Sequence, residues 1–388
     1  YTLIPGTDPQ LKKELLILEA FFDNDEFVVG DSPGADAATS IATLLEIAKT
    51  LSLKPQGRSI MLIATSGNSQ TLAGMRETIW SMNERSKELR NYKRQLQKTI
   101  NKAKRNLKIL KQLVFPLDEN TERDAFLGDA INQNLKFKVD HLSRQLMQLR
   151  LEKQTEDTKK LIKEIANQRL LFRRLGWNEN FADLSADQIL LLKQIIPLSI
   201  EDTERRAADA NRQLRALKSA SSFRAVTREY EIAAIISLHL SSNGDGVGGF
   251  HQGWLYPLKQ TVNRTGIYST IGDILESSSA SAGSLAPYRN SLRPNRLRTW
   301  ESWFLDKPNL GGEVSSLAGY LGLSLATTGD SRALWGTPSD TADKINWPYL
   351  FDQARLIEHL AGELARAPEL HSGKLPRDGF GTLTARTN

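Results

Sequence analysis

Five histidines and no cysteine stand among the 388 residues, which excludes disulfides, thiolate–zinc sites and cysteine nucleophiles together. The histidines do not recur at metal-ligand spacing. His239 closes the apolar run from Ile232 to Leu240, and Asp245 follows in the turn-rich stretch Ser241-Ser242-Asn243-Gly244-Asp245-Gly246. With Asp23 and Asp36, these two could hold one hard ion such as calcium. A lone histidine at a strand end, however, reads first as a hydrogen-bonded structural group. His251, His359 and His371 form no ligand spacing with another histidine. Asp245-Gly246-Val247-Gly248-Gly249 has the glycines of a phosphate cradle but neither the G-x-G-x-x-G spacing nor a following Lys-Ser/Thr, so it reads as a turn after a strand. Trp300 and Trp303 beside Arg296 and Arg298 make a candidate aromatic–basic binding surface, whereas Trp347 reads as core.

The elements that must position these residues fall into stretches of different texture. Over residues 1–80, the apolar run Leu15-Leu16-Ile17-Leu18 predicts a strand buried on both faces. Ile41, Leu44, Leu45, Ala48 and Leu51 recur at helical spacing, and Ser59–Ala64 predicts a second buried strand. A β–α–β order implies a parallel sheet covered by helices, hence an α/β fold. Residues 81–228 are long, polar and nearly free of glycine and proline. There Leu89, Tyr92, Leu96, Ile100, Ala103, Leu107, Leu110 and Val114 form a heptad-like stripe, which a turn at Phe115-Pro116-Leu117-Asp118 ends. Leu135, Val139, Leu142, Leu146 and Leu149 restart the stripe, predicting an antiparallel coiled-coil arm. Ser185 reads as the cap of a short helix over Gln188–Ile196 that Pro197 closes, with another helix over about Ile200–Ser219. From Tyr230 the α/β texture returns over 229–367, with a strand candidate at Gly319–Thr327, a flexible loop at Ser277–Ser284 and a closing helix from Trp347 to Ala367. Residues 368–388 read as a linker or tail.

The net charge of +6 is unevenly placed: residues 81–228 carry 31 Lys/Arg against 19 Asp/Glu. Between Glu84 and Leu113 the ratio is eleven to two, yet Tyr92 is the one aromatic residue there and no nucleic-acid motif appears. A solvated face, or one that meets an acidic partner or anionic headgroups, is the expectation, and nucleic acid is not. No run approaches the roughly 20 apolar residues that span a bilayer. No signal-like segment follows Tyr1, so a longer precursor is expected to carry any targeting segment.

Two motifs in register resemble the zinc aminopeptidase family, which includes bacterial leucyl aminopeptidases and transferrin-receptor-like and glutamate-carboxypeptidase-like proteins. They are Ser32-Pro33-Gly34-Ala35-Asp36 before a small-residue helix start, and Thr337-Pro338-Ser339-Asp340-Thr341 before the last helix. The resemblance covers about 1–80 and 229–367. It implies a mostly parallel mixed sheet sandwiched by helices, interrupted by the helical insertion. It also implies where a two-zinc site would be, and there the residues depart from the family. Phe21, in Ala20-Phe21-Phe22-Asp23, stands where A-H-x-D supplies a histidine. Ala37 stands at the bridging carboxylate, and Asn68-Ser69 replaces the Glu-Glu pair that gives the general base and a ligand. His239 stands near the next carboxylate ligand, and Gly336 at the last histidine.

Phenylalanine, alanine and glycine offer a metal no side-chain donor, and a neutral amide accepts no proton near neutral pH. The expectation is therefore a domain with no catalytic residues and no zinc, acting as a binding or assembly scaffold through a protein partner or self-association of the helical insertion. Its rival is an active metallopeptidase with ligands relocated around His239. The family implies an extracytoplasmic, bacterial periplasmic or surface setting; the lack of cysteine fits that, and would fit a cytosolic protein as well.

Overall fold

An apolar run with no polar alternation has to be covered on both faces. Leu15, Leu16, Ile17 and Leu18 are each at most 1% exposed, in strand β2 (Glu14–Phe21). The computed structural model describes residues 1–113, 124–151, 155–176, 184–255, 267–283, 286–292, 300–368 and 370. They form two compact units, Tyr1–Glu84 with Ala220–Asn388, and Arg85–Ser219.

The first unit holds a seven-stranded mixed sheet. With β1 (Thr2–Ile4), β3 (Ser59–Thr65), β4 (Glu231–His239), β5 (Gly246–Phe250), β6 (Tyr288–Asn290) and β7 (Gly322–Thr328), the order is β1-β3-β2-β4-β7-β5-β6. Strands β3, β2, β4 and β7 run parallel, β1 runs antiparallel to β3, and β5 runs antiparallel to β7. Successive residues of β2 serve opposite layers. Leu16 and Leu18 pack with Leu44 and Ile47 of α1 (Thr39–Leu53), Ile271 and Leu275 of α7 (Ile267–Ser281), and Leu356 and Leu360 of α9 (Trp347–Arg366). Leu15 and Ile17 pack with Met75 and Ile79 of α2 (Ala73–Asn83) and Val314 of α8 (Gly312–Leu317). The chain leaves β2 toward β3 on one side and later adds β4 on the other, so the carboxyl ends of β2 and β4 flank the point where strand order reverses.

The second unit contains α3 (Ser86–Lys111), α4 (Asp124–Leu151), α5 (Glu156–Leu175) and most of α6 (Ala186–Thr227). Leu110, Leu135, Leu142, Phe172, Leu192 and Ile195 share one apolar core, and α3 turns Leu89, Leu96, Ile100 and Ala103 inward. The Tyr92 hydroxyl donates to Gln213 Oε1 at 2.6 Å, and Lys111 pairs with Glu204 at 2.6 Å, tying α3 to α6. Ser185 caps α6 reciprocally: its Oγ accepts from Gln188 N at 3.3 Å while its own N–H donates to Gln188 Oε1 at 2.9 Å.

The structure corrects several expectations. Pro197 does not divide two helices; α6 runs through it for 42 residues. Burial of Leu192, Ile195 and Ser199 around the proline holds the turns on either side, and one lost backbone bond is tolerated. Residues 277–281 are the last turns of α7 rather than a loop. Ser277, Ser279 and Ser281 fold their hydroxyls back onto the carbonyls of Ile274, Glu276 and Ser278, at 3.0, 2.8 and 2.7 Å, which satisfies the helix end. Gly246–Phe250 is a strand, β5, rather than a turn: all five of its positions pair with β7, and Val247, Gly248 and Gly249 pair also with the short β6. Trp347 is 50% exposed at the start of α9, its ring tilted against that of Phe351 at 6.0 Å, and is not core. Leu370 is 2% exposed against the core; the expected tail otherwise, like the turn at Phe115–Asp118, lies outside the described residues. Among the described residues no helix is long and apolar enough to cross a membrane.

Candidate functional site

At the carboxyl ends of the parallel strands lies a cavity of about 520 Å³, a size that takes a small molecule or a peptide end. Three of the four parallel strands deliver residues singled out above. Phe21 ends β2, with Asp23 beyond it; Asn68 and Ser69 follow β3; His239 ends β4; and Ala37 precedes α1. All six line the one cavity. Gly336 adjoins it: its carbonyl accepts from Phe27 N at 2.8 Å, and a Cβ there would meet the Phe27 ring at 2.9 Å. Residues 200 apart in sequence thus converge because four parallel strands end side by side.

The two motifs meet in space. Ala35 N donates to the Asp340 carbonyl at 3.1 Å, and Asp36 N donates to Asp340 Oδ1 at 2.7 Å. Gly34 turns the chain at φ +69°, where a Cβ would strike Asn24. The Asp36 carboxylate is 2% exposed and both its oxygens are engaged: Oδ1 accepts from Ser242 N and Oδ2 from Trp335 Nε1, each at 2.7 Å. Asp23 is held in a similar way, accepting from Gly67 N at 2.6 Å and Asn68 N at 3.2 Å. These carboxylates organise loops with donors of this chain's own backbone and indole.

His239 is 3% exposed and lies among rings, with centroids 5.3 Å from Trp335, 5.5 Å from Phe21 and 6.5 Å from Phe304. Burial, then the charge of Arg332, holds its pKa well below the ordinary histidine range, so the ring is neutral at physiological pH. Its Nδ1 is buried without a hydrogen-bond partner. Ser69, though it lines the same cavity, makes no hydrogen bond to His239, so no nucleophile–base pair exists between them.

Sequence reasoning missed Arg332. It has a left-handed backbone (φ 52°), unusual for a residue with a Cβ. Its guanidinium donates to the carbonyls of Thr327 at 3.0 Å, His239 at 3.2 Å and Asp330 at 3.3 Å. It lies 4.9 Å from the Phe304 ring and 5.4 Å from that of Trp335. Burial lowers its pKa to about 10, with Asp330 and then Asp36 opposing, so it stays cationic at neutral pH. No local signal distinguishes it from any arginine in a polar loop. Around the mouth, Asp23, Asp25, Asp306 and Asp330 outnumber Lys307 and Arg332.

The proposed aromatic–basic surface is placed in part. Trp300 and Trp303 pack against the cluster of Phe250, Phe304 and Leu310, outside the cavity lining. The cation over Trp303 is Arg289, at 4.7 Å, and the indole N–H donates to Ser291 at 3.2 Å. Arg296 and Arg298 lie outside the described residues. Among the described residues no three His, Cys, Asp or Glu side chains are grouped to hold a metal ion.

No family model matches the chain, and no curated protein matches it. Among solved structures it is similar to an aminopeptidase from Aneurinibacillus sp. strain AM-1, with 12% sequence identity and a TM-score of 0.39, over 95% of this chain and 48% of that one. The chain therefore spans about half the length of the solved protein it matches.

Proposed function

We propose that the α/β unit is a degenerate aminopeptidase-like domain that binds rather than hydrolyses, and that the helical unit carries a protein interaction. The observation that carries this reading is the lining of the cavity. Positions identified only by matching the family's motifs converge there, and what they present is a phenyl ring, a methyl group, an amide, a hydroxyl and a neutral imidazole. These residues do not fit a zinc pair. Two adjacent dications need several anionic or imidazole donors, one of them bridging. Here Asp36 and Asp23 already accept hydrogen bonds from fixed donors, and the Arg332 guanidinium adds a positive charge to the cavity wall. With no acidified water and no base, peptide hydrolysis has no route.

The helical unit supports the second half of the reading. Phe137, Met147 and Leu151 of α4 are 62%, 67% and 80% exposed, and at 100° per residue they fall within an arc of about 80°. Apolar groups left in water along one side of a helix suit a docking face, for another protein or a second copy. We place the domain outside the cytoplasm, on the resemblance of its two motifs to the zinc aminopeptidase family. Hydrolysis of a leucyl anilide by the full chain in the presence of zinc tests the reading. No turnover above a zinc blank is expected; zinc-dependent turnover lost on His239→Ala would restore the rival, a peptidase with ligands relocated around His239.

A further inference from the structure

We propose that the outward face of α3 docks on an anionic lipid bilayer. This inference stands apart from the loss of chemistry in the α/β unit. Leu89, Leu96, Ile100, Ala103 and Leu110 turn α3 inward. At 100° per residue, Lys87, Arg90, Arg94, Lys98, Arg105 and Lys108 fall within an arc of about 80° on the opposite side, and all six are exposed. From Lys87 to Lys108 the row is about 30 Å long at 1.5 Å per residue. The other residues in that arc are Asn101 and Gln112.

The row has no paired counter-charge among the described residues. On α6, Arg205 and Arg206 pair with Asp202, and Arg212 pairs with Asp209. None of the six α3 cations is in an ion pair among the described residues, and the one acid of the helix, Glu88, lies off the arc. Six like charges kept in line without counter-charges among the described residues suit a partner that supplies the anions.

The shape and chemistry of the row select among polyanions. A protein interface needs apolar or aromatic anchors in its centre, and this arc has none. A duplex phosphate ridge turns to the far side of its cylinder within half a helical turn, about 17 Å, so a straight row of about 30 Å cannot follow it. The aromatic residue that could stack on a base, Tyr92, is engaged on the inner side with Gln213. A plane of anionic headgroups meets all six cations at once, needs no register and needs no inserted apolar group.

The test is co-sedimentation of the full chain with vesicles of phosphatidylcholine alone, or of about three parts phosphatidylcholine to one of phosphatidylglycerol. Binding is expected to the second kind only, and to fall about tenfold or more as salt is raised to about 0.5 M. The combined variant Lys87→Gln, Arg94→Gln, Lys98→Gln and Arg105→Gln, with helicity unchanged by circular dichroism, should lose it. The equally neutralised variant Arg205→Gln, Arg206→Gln, Arg212→Gln and Arg215→Gln should keep it. Equal loss in both variants would reduce the effect to net charge and overturn the proposal. So would the absence of binding to the anionic vesicles, or tighter salt-sensitive binding to a duplex DNA than to those vesicles at the same ionic strength.

Discussion

Replacing Arg58 by alanine is expected to cost about 3 kcal/mol, because it strands the part-buried Glu14 carboxylate and several carbonyls at once. Arg58 is 1% exposed. Its Nε donates to Glu14 at 2.7 Å, its Nη1 to the carbonyls of Leu364 at 2.8 Å and Ala367 at 2.6 Å, and its Nη2 to that of Leu370 at 3.1 Å. The Leu364 carbonyl lies in the last turn of α9, which has no helical N–H for it, and Ala367 and Leu370 follow the helix, so the guanidinium caps the helix end and ties it to the start of β2 and β3. A fall of about 10 °C in the melting midpoint corresponds to that loss for a unit of this size. Arg58→Lys keeps the charge but not the planar fork, and should recover only part of it. A change below about 1 kcal/mol in Arg58→Ala would mean that water replaces the arginine at the helix end.

The second large effect is pH-dependent. Glu19 is 2% exposed in β2, beside Ser237 of β4, with Thr65 and Ser237 donating their hydroxyls to its carboxylate. Burial raises its pKa to about 7; the Ser237 and Thr65 bonds pull it down, and Asp23 adds to the rise. An unfolded glutamate ionises near 4.5. Between those values the native state holds a proton that the unfolded chain has released, so stability falls as pH rises through the window. Above pH 7 the full penalty is about 3 kcal/mol. Glu19→Gln keeps a polar group for the two hydroxyls and cannot ionise. Its stability relative to wild type should therefore grow by about 2.5 kcal/mol between pH 5 and pH 8, read as a difference in urea unfolding. A flat difference across that range would mean the native carboxyl ionises as it does in water.

What could be read in the residues themselves was mainly pattern. The run Leu15–Leu18 and the helical recurrence from Ile41 to Leu51 each declare their element, because burial on two faces or along one stripe leaves a periodic trace. The meeting of Ala35 and Asp36 with Asp340 was foreshadowed only by two motifs standing in the same order as in a known family. Phe21, Ala37, Asn68 and His239 come together for the same reason. Arg332, Phe304 and Arg58 were invisible. An arginine becomes a cavity wall or a helix cap through tertiary neighbours, and its own sequence surroundings carry no sign of that. The serines after Ser277 and Pro197 misled in the opposite direction. Their intrinsic preferences point to loop and break, but hydroxyl-to-carbonyl bonds in one case and packed flanking turns in the other outweigh a cost of a few kcal/mol at most.

The proposed absence of a zinc centre is tested most directly by titrating zinc into the purified full chain in a calorimeter. No saturable uptake attributable to the cavity is predicted, and His239→Ala should leave the trace unchanged, since that imidazole is buried among aromatic rings beside a guanidinium. Uptake of two zinc ions per chain at low micromolar concentration, abolished by His239→Ala or Asp23→Asn, would contradict it.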